Sequence, residues 1–448
     1  MPGGLTAEGA EALDRTLARH VGKQNSLPGL VALVARGDDV HVAALGHKAF
    51  GDPEPIGRDA IFRIASISKP IAGVAAMLLI QDGAMALDDP VARWLPEFAA
   101  PRVLRSLDSS LDDTVPAKRP ITVEDVLSFH FGFGSIMAPG PFPVQQAEQE
   151  LGLKTLGPPW PPPDLTPDQW IAGLASLPLL DQPGSRWRYN TGASVAGVLI
   201  ERVAGAPLAE VLRERVFEPL GMADTGFHVP AAKRTRFTTF YAAGSGDEEP
   251  RVLDRPDGWW AAPPKFPDAS GALVSTADDL YAFAAMLAAD GLAPDGSRLL
   301  SAASVRQMTR NRMTAAERAE SRIFVGDHSG WGLMMLVPAE GAGKAAEGAG
   351  NAAESAGNAA EGAGNAAESA GNAAESAGNA AEGAGNAADN SKIPGGFGWD
   401  GGSGTAWRTD MSRGLTGILL TQRMATSPEP VPLVTDFWAA AYAAIGAE

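Results

Sequence analysis

The pattern of apolar and polar positions predicts a chain that begins with a helix and a β-hairpin. Residues 5–21 place apolar side chains at helical spacing, as an amphipathic helix does. Two β-rich runs, 29–36 and 40–45, flank the turn-forming triplet 37–39 and predict a hairpin. Residues 67–81 are apolar on nearly every face, so we expect this helix in the centre of a domain.

The pattern changes along the rest of the chain. From about 87 to 267, helical stretches are separated by proline-rich loops, and no alternating strand pattern is evident. A buried strand is then predicted at 271–275 and a helix at 280–289. Further strands and a closing helix are predicted at 331–337, 397–399, 404–408, 415–422 and 434–445. This order predicts an α+β fold in which a sheet domain, from 1–86 and 268–448, is interrupted by a mostly helical domain at 87–267.

Residues 341–389 form an internal repeat of seven residues. The pattern (Gly/Ser)-Ala-Gly-(Asn/Lys)-Ala-Ala-(Glu/Asp) runs seven times through 49 residues. Its only apolar side chains are alanines, so it has no coiled-coil seam, and its eleven glycines oppose a stable helix. We therefore predict a disordered, low-complexity surface insertion, with a spacer or interaction arm as the alternative.

The charge and composition of the chain narrow the classes of function. Its net charge of −17 opposes nucleic-acid binding, although the repeat alone contributes six glutamates and one aspartate against one lysine. The absence of cysteine excludes thiol nucleophiles and thiolate metal sites, and the six histidines lack metal-ligand spacing. No metal or cofactor is expected. The sequence has no signal-peptide pattern and no apolar run near the roughly 20 residues that span a bilayer, so we expect a cytoplasmic protein without a membrane partner. The oligomeric state stays open.

Candidate chemistry lies in the sequence Ser66-Ile67-Ser68-Lys69, where the apolar helix begins. Residues three apart share one helix face, so the Lys69 amine can reach the Ser66 oxygen. Burial beside an apolar helix lowers the pKa of a lysine and makes it a plausible base. The helix N-terminus also offers backbone N–H groups to a developing oxyanion. The competing interpretation is that Ser66 caps the helix and Lys69 is a surface charge.

Residues 61–70, which contain this motif, resemble the first motif of class C β-lactamases, family VIII carboxylesterases and related penicillin-recognising enzymes. Four further stretches resemble motifs of that family in the family's order: 121–132, 183–190, 219–225 and 271–279. The resemblance covers nearly the whole chain outside the repeat. It implies a β-lactamase/transpeptidase-like fold, in which helices flank an antiparallel sheet and the active site lies between the sheet and the helical domain.

The resemblance also implies roles for single residues. Ser66 matches the nucleophile of the family, and Lys69 matches the group that takes its proton. Tyr189 matches the catalytic tyrosine, which shares the base role with Lys69 and later protonates the leaving group. Asn190 is expected to contact the substrate, although the family's own asparagine position is occupied by Thr191.

The third family motif, K-T-G or H-x-G, corresponds here to Trp399-Asp400-Gly401, which resembles the W-x-G variant of the esterases. All three residues are expected to contact the substrate. The N–H of Gly402 is expected to complete the oxyanion hole beside that of Ser66. Trp399 replaces the cation that would hold a penicillin carboxylate, so this motif favours neutral substrates. The Asp400 carboxylate is expected to repel anions as well, unless it points away into a hydrogen-bonded turn, which would soften the repulsion without restoring the cation.

These features together predict a serine hydrolase that works by two-step acyl transfer without a cofactor. The leading function is a carboxylesterase-like activity on small-molecule esters or amides. The nearest alternative is a β-lactamase or a D-Ala-D-Ala carboxypeptidase. The alternative of another class is a non-catalytic binding or scaffold protein with a relict site.

Overall fold

The computed structural model describes residues 4–22, 27–153, 161–242, 250–339, 396–425 and 431–445. The strands β1 to β13 are Gly29–Arg36, Asp39–Gly46, Phe62–Arg63, Arg102–Leu104, Thr114–Pro116, Phe240–Tyr241, Val252–Asp254, Val274–Ser275, Ser329–Trp331, Leu336–Pro338, Phe397–Gly401, Thr405–Asp410 and Leu415–Thr421. The helices α1 to α13 are Ala7–Ala18, Ser68–Gln81, Val123–Leu127, Pro143–Glu150, Pro167–Ala175, Thr191–Ala204, Leu208–Leu212, Glu218–Leu220, Ala277–Ala288, Ala302–Thr309, Ala315–Glu320, Arg322–Val325 and Pro432–Ala444.

Seven strands form one antiparallel sheet in the order β2-β1-β13-β12-β11-β10-β9. The hairpin predicted near the start of the chain is present as β1 and β2. Strand β1 also pairs along its length with β13, from Leu30 opposite Thr421 to Arg36 opposite Leu415. The two ends of the chain therefore build one sheet. The predicted antiparallel sheet flanked by helices is confirmed.

Helices cover both faces of the sheet, which explains why β1 is buried along its whole length. Leu30, Ala32 and Val34 share one apolar cluster with residues of α1 and α13. The alternate residues, Val31 and Leu33, belong to the cluster on the opposite face, which includes α2 and α9. This alternation follows from the two-residue period of a strand.

Helix α2 lies in the core, as its apolar surface predicts. Every residue from 68 to 79 is buried, and α6, α7 and α10 pack against it. Lys69 is among these residues and is fully buried. The first turn of α2 therefore holds a lysine amine away from water.

One predicted strand is wrong in its form. Residues 331–337 do not make a single strand, because residues 332–335 form a turn between β9 and β10, which pair with Leu336 opposite Trp331. Met334 in this turn has a φ of 65°. The turn is buried and apolar, so its residues have the hydrophobicity of a strand without the geometry of one.

Residues 87–267 contain α3 to α8, together with two short hairpins, β4–β5 and β6–β7, that the pattern did not indicate. Each of these strands has two or three residues, too few to show an alternation. The main apolar cluster joins this segment to the sheet, since it includes both Trp170 and Val31. The division into two domains at residues 86 and 267 stays a prediction.

The repeat at 341–389 lies outside the described residues, but its neighbours define a test. Strands β10 and β11 are adjacent in the sheet, with Leu336 opposite Gly398, and adjacent antiparallel strands need only a short turn between them. Since long loops add closure entropy only slowly, we expect deletion of 341–389 to leave ester hydrolysis within about twofold. Thermal unfolding provides the second measurement. A fall of roughly ten degrees in Tm, worth more than about 2 kcal/mol, would show instead that the tract is structural.

Candidate active site

Ser66 lies in a single 3₁₀ turn, Ala65–Ile67, between β3 and α2. Strand β3 pairs with β8, and the N–H of Ile64 donates to the carbonyl of Leu273 at 3.1 Å, so the turn is fixed on both sides. Ala65 has a φ of 43°, which is rare for a residue other than glycine. Backbone strain of this kind clusters at functional sites, and here it immediately precedes the serine.

The end of β11 lies directly against the Ser66 turn. A Cβ atom on Gly401 would stand 2.3 Å from the carbonyl oxygen of Ile64, so only glycine permits this approach. The hydroxyl of Thr405 donates to the same carbonyl at 3.2 Å. Gly402 follows Gly401 in the chain and so lies close to the Ser66 turn, and its role as an oxyanion donor stays a prediction.

Lys69 is directed at the Ser66 hydroxyl. Its Nζ lies 2.9 Å from Ser66 Oγ and also donates to the carbonyl of Ser270. Burial lowers the pKa of Lys69 to about 7, because an ammonium loses its hydration in the protein interior, and the charge of Asp268 opposes this shift. A large fraction of the amine is therefore neutral near pH 7 and able to accept a proton.

Tyr189 contacts the same hydroxyl. Its Oη lies 2.9 Å from Ser66 Oγ and accepts a hydrogen bond from Trp399 Nε1 at 2.8 Å. Burial raises the pKa of Tyr189 well above its ordinary value, and the hydrogen bonds with Ser66 and Trp399 offset this only in part. The phenol therefore keeps its proton at neutral pH.

Aromatic side chains surround Tyr189. Phe324 of α12 stacks on it with ring centroids 4.7 Å apart. The rings with centroids between 4.7 and 6.1 Å from that of Tyr189 include Phe129, Trp187, Phe324, Trp331 and Trp399. These rings displace water from one side of the site. The low polarity they create disfavours charge on both Lys69 and Tyr189.

The two side chains of the predicted Trp399-Asp400-Gly401 motif do different things. The indole of Trp399 is hydrogen-bonded to Tyr189. The carboxylate of Asp400 makes a two-pronged ion pair with Arg408 of β12, in which both nitrogen–oxygen distances are 2.8 Å. Arg408 therefore compensates the charge of Asp400, which softens the repulsion of anions expected from this carboxylate. The contact of Asp400 with a substrate stays a prediction.

Asn190 occupies the turn between Tyr189 and α6. Its φ is 83°, and the N–H of Thr191 bonds across it to the carbonyl of Tyr189 at 3.3 Å. This strained turn fixes the orientation of Tyr189 relative to α6. Asn190 is half-buried, and its contact with a substrate stays a prediction.

Sequence reasoning missed a buried carboxylate near Lys69. Asp268 is 7% exposed, and its Oδ1 accepts hydrogen bonds from Ser194 Oγ and from the N–H of Ser270, both at 2.8 Å. Ser270 is the residue whose carbonyl accepts from Lys69. The only signal in the sequence was the position of Asp268, three residues before the motif-like stretch 271–279.

The described part of the chain contains neither a cluster of metal-ligating side chains nor a helix that could span a membrane. There, no group of three or more histidine, aspartate or glutamate side chains is arranged to hold a metal ion. Within the same residues, no helix has the length and apolar character needed to cross a membrane.

Comparison with known proteins identifies the family to which this chain belongs. The family model described as Beta-lactamase matches residues 13–434. The chain therefore belongs to the β-lactamase family. The predicted family, its fold and the assignment as a β-lactamase-related serine hydrolase are confirmed at this level.

Two curated proteins illustrate the similarity in sequence. Protein Rv1367c of Mycobacterium tuberculosis is 38% identical over 309 residues, which cover 68% of this chain and 72% of that protein. Esterase EstB of Burkholderia gladioli is 34% identical over 293 residues, which cover 61% of this chain and 69% of that protein.

A solved structure agrees in fold. EstCE1, described as a hydrolase with promiscuous acyltransferase activity, superimposes with a TM-score of 0.71 and covers 97% of this chain and 99% of its own. Its sequence identity is 22%, so this likeness concerns the fold alone.

Proposed function

We propose that this protein is a carboxylesterase-like serine hydrolase that acts on small neutral esters through a covalent acyl-enzyme. The observation that carries this proposal is the position of Lys69 Nζ and Tyr189 Oη, each 2.9 Å from Ser66 Oγ. In this arrangement the Ser66 oxygen is the nucleophile, the partly neutral amine of Lys69 is the proton acceptor, and the protonated phenol of Tyr189 is the proton donor. The similarity to esterase EstB supports an ester as the substrate.

Acylation begins when Ser66 Oγ attacks the carbonyl carbon of the ester and its proton passes to the neutral Lys69 amine. The N–H groups of Ser66 and Gly402 donate to the oxyanion of the tetrahedral intermediate. When the bond to the alcohol breaks, the leaving oxygen takes the phenol proton of Tyr189. Lys69 then returns a proton to Tyr189. The enzyme is left as an ester of Ser66 with Lys69 neutral.

Deacylation uses Lys69 again, first as the base for water and then as the acid for Ser66. Water attacks the carbonyl carbon of the acyl-enzyme while Lys69 takes one of its protons. The second tetrahedral intermediate collapses when the bond to Ser66 Oγ breaks and that oxygen regains a proton from Lys69. The carboxylic acid leaves, and the site returns to its starting protonation state without a metal or an external acid.

The preference for a neutral substrate rests on the charges around Trp399. The resemblance to lactamases places a cation at this position, and here an indole donates to Tyr189 in its place. The guanidinium of the neighbouring Arg408 is buried, with 4% of its side chain exposed, and is paired with Asp400. Neither β11 nor β12 therefore offers an unpaired cation to a substrate carboxylate in this region, whereas the indole offers apolar surface.

We expect kcat/KM for p-nitrophenyl butyrate to exceed that for nitrocefin by at least about 10²-fold, or about 2.7 kcal/mol in the transition state. Steady-state kinetics with both substrates measure this ratio, and Trp399→Lys is the matched variant. The new amine keeps a donor for Tyr189 and adds a positive charge, so the ratio should narrow. Comparable values in the unaltered protein would favour the β-lactamase or D-Ala-D-Ala carboxypeptidase alternative. If neither substrate is hydrolysed and a fluorophosphonate does not label Ser66, the alternative of a non-catalytic binding protein is favoured.

A further inference from the structure

Asp268 is connected by hydrogen bonds to the elements that carry Lys69 and Tyr189. Lys69 Nζ donates to the carbonyl of Ser270, whose own N–H donates to Asp268 Oδ1 at 2.8 Å. Ser194 Oγ donates to the same carboxylate oxygen at 2.8 Å. Ser194 lies on α6, and Tyr189 stands two residues before that helix begins. The carboxylate of Asp268 therefore links the loop that contains Ser270, the partner of Lys69, to helix α6, which follows Tyr189.

The charges of Asp268 and Lys69 depend on each other. Both side chains are buried, and burial disfavours the charged form of each. It raises the pKa of Asp268 and lowers the pKa of Lys69, while the attraction between the two charges opposes both shifts. The carboxylate of Asp268 is thus the interaction that keeps the basicity of Lys69 from falling further.

We propose that Asp268 is a positioning residue that sets the pH range in which Lys69 serves as the base for Ser66. This inference rests on the proposed function, because Asp268 acts through Lys69 and does not touch the reacting atoms. It goes beyond the motifs of the family resemblance, none of which includes this residue.

Among the described residues, the titratable groups around Lys69 and its neighbour Tyr189 include Asp268 and Asp400. From the start of α6, the Tyr189 ring centroid lies 4.8 Å from Lys69 Nζ, and its phenol stays neutral. From the loop before β8, Asp268 contributes a negative charge. On β11, Asp400 interacts with Tyr189 and is paired with Arg408. Of these groups, Asp268 alone presents Lys69 with a charge that no arginine compensates.

The variant Asp268→Asn separates charge from shape. Its amide oxygen can still accept from Ser194 Oγ and from the N–H of Ser270, but the negative charge is lost. Without that charge the ammonium form of Lys69 is less stable, so its pKa falls. The neutral amine then persists to lower pH, and the acid limb of the activity profile moves to lower pH. The maximum rate falls as well, because a weaker base accepts the serine proton less readily.

The test is the second-order rate of Ser66 labelling by a fluorophosphonate, followed from pH 5 to 9. The unaltered protein should lose reactivity below a midpoint near pH 7, where Lys69 becomes protonated. For Asp268→Asn we expect the midpoint to fall by about one pH unit. A shift of this size corresponds to about 1.4 kcal/mol of lost charge interaction. The matched control, Ser194→Ala, removes one hydrogen bond to Asp268 but keeps the charge. Its midpoint should move much less, even if its Tm falls.

The outcomes separate the inference from the proposed function. If Asp268→Asn lowers the rate with an unchanged midpoint, Asp268 is only structural and the inference is overturned. If the unaltered protein is not labelled at all, the proposed function fails and the inference with it. Thermal unfolding checks that each variant is folded. If Asp268→Asn does not fold, Asp268→Ser removes the same charge with a smaller side chain, and its midpoint decides the question in the same way.

Discussion

Replacing Ser66 with alanine is expected to abolish ester hydrolysis, with a loss in kcat on the order of 10⁴-fold or more. The reason is that the amine of Lys69 and the phenol of Tyr189 both contact the Ser66 oxygen, so this variant removes the atom that would form the covalent intermediate. The remaining backbone donors and the apolar surroundings bind substrate but cannot form an ester. Initial rates with p-nitrophenyl butyrate measure the loss.

The matched control for Ser66→Ala is Ser68→Ala in the same motif. Ser68 is fully buried, and its hydroxyl donates to the carbonyl of Ala65 at 2.6 Å and accepts from the N–H of Leu273 at 3.2 Å. Because both hydrogen bonds of this hydroxyl support the turn, we expect its removal to lower the free energy of unfolding by about 1 kcal/mol and to leave labelling in place. Near-full activity in Ser66→Ala, or loss of labelling only in Ser68→Ala, would refute the assignment.

The second large effect is expected from the proton-transfer groups. Lys69→Met and Tyr189→Phe should each lower kcat/KM for an alkyl ester by on the order of 10²-fold or more, because Lys69 accepts the Ser66 proton and Tyr189 protonates the leaving alcohol. Methionine fills the buried space left by the lysine, and phenylalanine keeps the ring that stacks on Phe324. Thermal unfolding of both variants checks that the losses arise from chemistry.

The two variants should differ in a second property, which distinguishes a base from a donor. Lys69→Met should lose the acid limb near pH 7, whereas Tyr189→Phe should keep it, because Lys69 still titrates there. Tyr189→Phe should lower kcat/KM for an alkyl ester roughly tenfold more than kcat/KM for a p-nitrophenyl ester, because p-nitrophenolate leaves without a proton from the enzyme. Equal losses on both esters would contradict the donor role of Tyr189.

The sequence predicted those parts of the site that depend on local spacing. The three-residue separation of Ser66 and Lys69 at the start of an apolar helix is sufficient to predict their contact, because side chains three positions apart share a face in a helix and in a 3₁₀ turn. The burial of Lys69 follows from the same pattern, since a helix with apolar residues on every side must lie in the core. The hairpin β1–β2 was predictable for the same reason, as it depends only on alternation and a tight turn.

Other features depend on contacts between residues far apart in the chain, and no pattern indicates them. The pairing of Asp400 with Arg408 requires the register of β11 against β12, in which Asp400 lies opposite Ala406. The hydrogen bond from Trp399 to Tyr189 joins residues separated by 210 positions. Asp268 is linked to Lys69 through Ser270 and to α6 through Ser194, residues that are distant from one another in the chain. Each is a tertiary contact whose partners carry no local signal.

The roles assigned to Gly402 and Asn190 show the same division. Gly401 was expected from a motif, and the structure supplies the physical reason, because a side chain there would collide with Ile64. That contact holds Gly402 at the Ser66 turn, although its donation to an oxyanion stays a prediction. Asn190 lies in the expected turn, but a turn does not determine where its amide will meet a substrate.

The central claim is that Ser66 is the nucleophile, and peptide mapping of a fluorophosphonate-labelled protein tests it most directly. Mass spectrometry of the digested adduct should place one phosphonyl group per chain on the peptide that contains Ser66, with fragment ions that exclude Ser68. The unlabelled sample and Ser66→Ala should lack that mass. A stoichiometric adduct on any other residue, or none at pH 8, where the Lys69 amine is mostly neutral, would contradict this account.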